Sequence, residues 1–136
     1  MKFMVAIFLL LASGIAFAQS PLPATIREIN QLFVALENSK CEFNRNGAWY
    51  NAQKATEHLR RKYDYLLKKG LVTSAESFIE LAAAKSSMSD KPYLVRCGNA
   101  QPIPSKLWFT GKLKELRART AGANNSFKPT PLRGAA

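Results

Sequence analysis

The sequence predicts an α+β fold in which about four helices pack around a small antiparallel sheet, with one disulfide. Three observations carry this. Apolar residues recur at helical spacing in four separate segments. An Asn46-Gly47 pair lies between two short β-prone runs, a hairpin signal. The only two cysteines are Cys41 and Cys97. With 136 residues, 47% of them apolar, the chain suffices for one domain with its own core.

Ser20-Pro21-Leu22-Pro23 reads as an extended leader. Ile26, Ile29, Leu32, Phe33 and Leu36 then define an amphipathic helix over Ala24 to Asn38. Cys41 to Arg45 alternates, turns at Asn46-Gly47 and resumes with Ala48-Trp49-Tyr50. Asn51 caps a second helix from Ala52 to Lys69, with Ala55, Leu59, Tyr63, Leu66 and Leu67 inward and Gly70 as its stop. Thr73-Ser74-Ala75-Glu76 has the form of a capping box, Thr73 pairing with Glu76. The third helix runs from there to about Ala84, with Phe78, Ile79, Leu81 and Ala82 buried.

Lys91 to Cys97 reads as a strand with its proline near the start, where a missing donor costs least. A turn through Pro102 and Pro104 follows. Ser105 then caps a fourth helix bearing Leu107, Trp108, Phe109, Leu113 and Leu116 and ending near Thr120. The folded domain is thus expected over 24–120, and residues 121–136, without apolar periodicity, as a disordered tail.

The first 18 residues have the form of a secretory signal: Lys2, the apolar run Phe3 to Leu11, and the small-x-small end Ala16-Phe17-Ala18. Cleavage there leaves Gln19 first. A membrane anchor fits less well, because the apolar run is short of about 20 residues. The expected location is periplasmic or secreted, an oxidising setting in which Cys41 and Cys97 form one intramolecular bridge. A redox-active thiol pair is the alternative, but no Cys-x-x-Cys spacing supports it. The bridge would set the Lys91–Cys97 strand beside the hairpin.

Several blocks carry a family resemblance: Phe43-Asn44-Arg45-Asn46-Gly47, Ala55 through Lys62, Ala75 through Glu80, Lys85 through Ser89, and Lys91-Pro92-Tyr93-Leu94-Val95. Together, over Ile26 to Arg117, they resemble a family of small secreted proteins of Gram-negative bacteria classed as a domain of unknown function. The resemblance implies export and a small α+β domain, and no established activity. In the family pattern a glycine usually precedes the Lys-Pro-Tyr. Here Asp90 stands there, which leaves open whether that turn takes a positive φ. The final residues are similar to the C-terminal extensions encoded by mobile gene cassettes, a likeness that bears on gene mobility and not on activity.

The family blocks place Arg45, Asn46, His58, Ser86 and Ser87 as a candidate ligand site at one end of the domain. An Arg fork, an amide, an imidazole and two hydroxyls suit a small anionic or hydrogen-bonding ligand. The plainer reading is that they tie loops to helix ends. A small hydrolase would need Ser86 or Ser87 as nucleophile, His58 as base and Asp64 or Asp90 to orient it, an arrangement only geometry decides. Paired carboxylates at Glu76 and Glu80 are weaker still. One histidine and two cysteines cannot close a four-ligand zinc site without carboxylates, no spacing suggests one, and no phosphate loop or nucleophile elbow is present, so no catalytic residue, metal or cofactor is expected.

Twenty Lys and Arg against nine Asp and Glu give a formal charge of +11, one less after loss of Lys2. Lys106, Lys112, Lys114, Arg117 and Arg119 gather on the fourth helix as a second candidate surface. In an exported protein such a field meets anionic envelope polymers and acidic proteins before nucleic acid, which is not expected as a partner. A solvated face that aids solubility is the plainer reading. Trp49, Tyr50, Tyr93 and Trp108 form either a stacking platform for glycan or, at these spacings, mostly core. The expectation is an exported, non-enzymatic binding or interaction module, with the hydrolase or a structural envelope protein docking a protein partner as alternatives.

Overall fold

The computed structural model describes residues 20–126; the expected signal segment and the end of the tail lie outside them. Helix α1, Pro23–Asn38, begins with a proline whose fixed φ suits the first turn. It buries Ile29, Leu32, Phe33 and Leu36, while Ile26, expected inward, is exposed. Strands β1 (Glu42–Arg45) and β2 (Ala48–Asn51) follow. Their turn places Asn46 at φ 51° and Gly47 at 86°, the two positive angles of a turn whose twist matches the strands it joins.

Asn51 ends β2 and also caps α2, Ala52–Lys68, by accepting a 2.8 Å hydrogen bond from the amide of Lys54. No spare residue separates strand from helix, so the hairpin sets the rotational phase of α2. Helix α3 spans Ala75–Phe78 and continues as a π-helical turn over Ile79–Ala83. Its capping box is one residue later than expected: Ser74 is the cap and Ser77 its reciprocal partner, so Glu76 is released for another role. The π turn, with its wider i→i+5 bonding, also moves the buried face. Ala83 is buried and Leu81, expected inward, is 45% exposed.

Strand β3 is shorter than expected, Leu94–Arg96, because Pro92 bridges to Lys85 and not to the hairpin. The Pro102–Pro104 segment, expected as a turn only, supplies a fourth strand, β4 (Ile103–Pro104), which leads directly into α4, Ser105–Ser126. Helix α4 continues past Thr120 into the stretch expected as tail, and Leu107 points out of its buried stripe. The antiparallel sheet has the order β2-β1-β3-β4. Phe43 and Val95 pair on the face toward the helices. Edge-to-face contacts of Phe78 with Phe33, Tyr63 and Phe109 at 5.2–6.3 Å join α1, α2 and α4 around α3.

Tyr93 and Trp108 are core residues. Trp49 and Tyr50 are half-buried, each beneath an arginine, with Arg96 4.0 Å from the Trp49 ring centre and Arg45 5.1 Å from that of Tyr50. Cys41 and Cys97 form the expected disulfide, closing a separation of 56 residues. The pairs Glu42–Arg96, Phe43–Val95 and Asn44–Leu94 set the β1–β3 register. One more step at each end puts Cys41 opposite Cys97 and Arg45 opposite Tyr93. Replacing both cysteines by serine is expected to cost about 4 kcal/mol of unfolding free energy, from the loop the bridge closes. Urea denaturation of the oxidised protein beside the double variant measures this, and a loss under about 1 kcal/mol would show that the bridge does not constrain the fold.

Candidate functional site

The end of the β1–β3 pair remote from the disulfide opens on a cleft of about 330 Å³. Its walls come from three places: the β1–β2 turn, α2, and the loop between the π turn and β3. All five residues expected at the site, Arg45, Asn46, His58, Ser86 and Ser87, line it, joined by Lys62, Met88 and Tyr93. Lys62 lies one helical turn beyond His58 on the same face of α2. Tyr93 sits just before β3, one step past the Asn44–Leu94 pair, where the register sets it across from Arg45.

These side chains form one hydrogen-bonded chain. Arg45 Nη1 donates to His58 Nδ1 at 2.6 Å. Arginine has only donors, so Nδ1 is the acceptor and the ring proton is assigned to Nε2. Nε2 lies 3.1 Å from the Tyr93 hydroxyl and donates to it. Lys62 Nζ donates to the same hydroxyl at 3.3 Å and to the carbonyl of Lys85 at 2.9 Å. The Tyr93 oxygen thus accepts two hydrogen bonds, and its own proton has no acceptor among the described residues. No carboxylate lines this cleft.

Burial, then the charges of Arg45, Lys62 and Arg61, hold the His58 pKa down at about 4, so the ring is neutral at pH 7. Burial and Arg45 likewise lower Lys62 to about 8, which leaves it mostly charged. Burial raises the Tyr93 hydroxyl, keeping its proton on. The cleft therefore presents two cations and an uncommitted O–H. Such a set stabilises an anionic oxygen better than any neutral group.

Ser86 is buried, and its hydroxyl accepts from the amides of Met88 and Ser89 at 3.4 and 3.3 Å, shaping the loop. Ser87 lies exposed on the rim. Asn46 Oδ1 accepts from the Ser89 hydroxyl at 2.7 Å, tying the hairpin turn to the loop. Asp90 takes φ 60°, so this turn uses the left-handed backbone without a glycine. Its amide reaches the Ser86 carbonyl at 3.0 Å and its carboxylate pairs with Lys85 at 2.9 Å. No hydrogen bond joins His58 to Ser86, Ser87, Asp64 or Asp90, and both ring nitrogens are engaged elsewhere.

The second candidate surface, on α4, is largely paired. Lys106 meets Glu80, Lys112 meets Glu115 at 3.1 Å, and Arg119 approaches the same Glu115 at 3.9 Å. Arg117 grips Glu28 of α1 through two 2.9 Å bonds and also bonds Glu76 of α3. Lys114 is exposed, with no ion pair among the described residues. Arg117 thereby fastens the last helix to α1 and α3, and only Lys114 keeps the character of a free basic patch. Helix α2 carries Lys54, Arg60, Arg61, Lys62 and Lys68 against Glu57 and Asp64, and so holds much of the excess charge. Among the described residues no group of three His, Cys, Asp or Glu is placed to hold a metal, and no helix is long and apolar enough to cross a membrane.

Fold and site together define a small disulfide-linked α+β protein with a cationic cleft at one end of its central strand pair. Residues 23–117 match the model of a family of unknown function, DUF5329, and the chain belongs to that family. No curated protein and no solved structure matches it.

The His58 geometry gives a pH signature. The folded pKa, about 4, lies below the ordinary 6.5. Between these values the unfolded chain holds a proton that the folded one lacks, so stability falls as pH drops from about 6.5 to about 4 and this contribution levels off below. His58→Gln is expected to flatten that part of the profile. Thermal unfolding of both proteins across this range measures it, and parallel profiles would contradict a depressed His58.

Proposed function

We propose that this is an exported, non-enzymatic protein that binds a small anionic ligand in the cleft between the hairpin turn, α2 and the 84–93 loop. The observation that carries this reading is the Tyr93 hydroxyl, which accepts from His58 and Lys62 and, among the described residues, keeps a proton with no acceptor in a cleft without carboxylates. Carboxylate or phosphate oxygen completes such a set. The cleft volume, about 330 Å³, lies at the small end of the range for small-molecule sites. Export is supported by the signal-like N-terminus and by a disulfide that an oxidising compartment favours. The binding reading is preferred to a hydrolase because His58 has no free ring nitrogen to serve as a base.

Thermal unfolding of the oxidised chain beginning at Gln19, with inorganic phosphate, acetate and a neutral sugar at low and moderate salt, tests the reading. A ligand at a hundredfold excess over its Kd stabilises by about 2.7 kcal/mol, a midpoint rise of about 10 °C for a domain of this size. A saturable rise with the anions, absent with the sugar and lost in Lys62→Met, is expected. An unchanged midpoint with every anion would contradict it.

A further inference from the structure

A second, smaller cleft of about 170 Å³ shares the Arg45–His58 pair with the first. Phe43, Ala55 and Tyr50 give it an apolar side, and Lys54, Glu57 and Arg61 give it a charged one. Glu57 is paired with Lys54 at 3.7 Å, while Arg61 has no hydrogen-bond or ion-pair partner among the described residues. Lys54, His58 and Lys62 stand at i, i+4 and i+8, on one face of α2. Arg45 spends one nitrogen on His58 and keeps its other N–H groups for either side.

We propose that the ligand is a dianion that straddles the Arg45–His58 pair, with one acidic group at Lys62 and Tyr93 and the other at Arg61. This rests on the anion-binding reading of the first cleft. A single anion would satisfy the first pole and leave Arg61 unmatched. The apolar lining of Phe43, Tyr50 and Ala55 beside the shared pair suits the hydrocarbon or ring that links two acidic groups. Lys54 is already paired with Glu57, which leaves Arg61 as the unpaired cation of the second cleft among the described residues. Two carboxylates and two phosphates share this chemistry.

The test is calorimetric titration of the oxidised protein at low salt. The probes are linear α,ω-dicarboxylates of increasing length, the monocarboxylates of equal length, and the matching bisphosphates. At the length that spans the pair, the dianion is expected to bind about tenfold tighter than its monoanion, the effect of one added charge-assisted contact. Arg61→Gln should remove that gain and leave monoanion affinity within about twofold. The series with the larger gain identifies the acidic group. Monoanion binding with no gain at any length, or a gain that survives Arg61→Gln, overturns the dianion and leaves the anion site standing. No binding by any probe overturns both.

Discussion

The register of β1 against β3 is the constraint on which the rest depends. Glu42, Phe43 and Asn44 face Arg96, Val95 and Leu94, and the disulfide closes one end of that ladder. A slip of one residue would turn either Phe43 or Val95 out of the core and separate Arg45 from Tyr93. The covalent bond and the buried pair thus enforce the same alignment from different directions. What emerges at the open end is a fixed meeting of Arg45 with Tyr93, into which α2 delivers His58 and Lys62. Because Asn51 serves both β2 and α2, the helix has no freedom to rotate away.

The cleft that results runs against the electrostatic preference of a folded protein. Two cations and an imidazole crowd together with no carboxylate among them, and burial first, then the neighbouring positive charge, lowers the proton affinity of His58 and Lys62. Asn46 and Asp90, which border the same loops, hold left-handed backbone conformations, as does Lys40 beside the disulfide. On α4, by contrast, most of the cations meet carboxylates: Glu28, Glu76, Glu80 and Glu115. Uncompensated charge gathers where a ligand is proposed to sit, and a bound anion would relieve it.

Much of this was legible in the sequence, and the rest fails for identifiable reasons. Asn46-Gly47 signals its turn through its need for positive φ, Asn51 signals a cap, and two cysteines allow only one intramolecular pairing. Arg45, Asn46, His58, Ser86 and Ser87 share one cleft because the blocks that carry them all border the β1–β3 pair. Tyr93 reads as an aromatic core residue, and it is one; only the register shows that its hydroxyl reaches His58. Lys62 is visible as the i+4 neighbour of His58, but its burial depends on the 84–93 loop. The π turn, which exposes Leu81, leaves no mark in a pattern read at 3.6 residues per turn. The ion pairs of α4 join helices distant in sequence, so a cationic stripe and an interhelical clasp look alike before folding.

His58 is the only histidine, so its nuclear magnetic resonance signals identify themselves. Nitrogen-15 shifts of the imidazole, followed with pH in the oxidised protein, report tautomer and pKa together. If the β1–β3 register delivers Arg45 to the ring, the neutral form carries its proton on Nε2 and titrates near 4. Reduction of the disulfide should move that titration toward the ordinary value. A proton on Nδ1, or titration near 6.5 in the oxidised protein, would contradict the hydrogen-bonded chain from which the binding site is built.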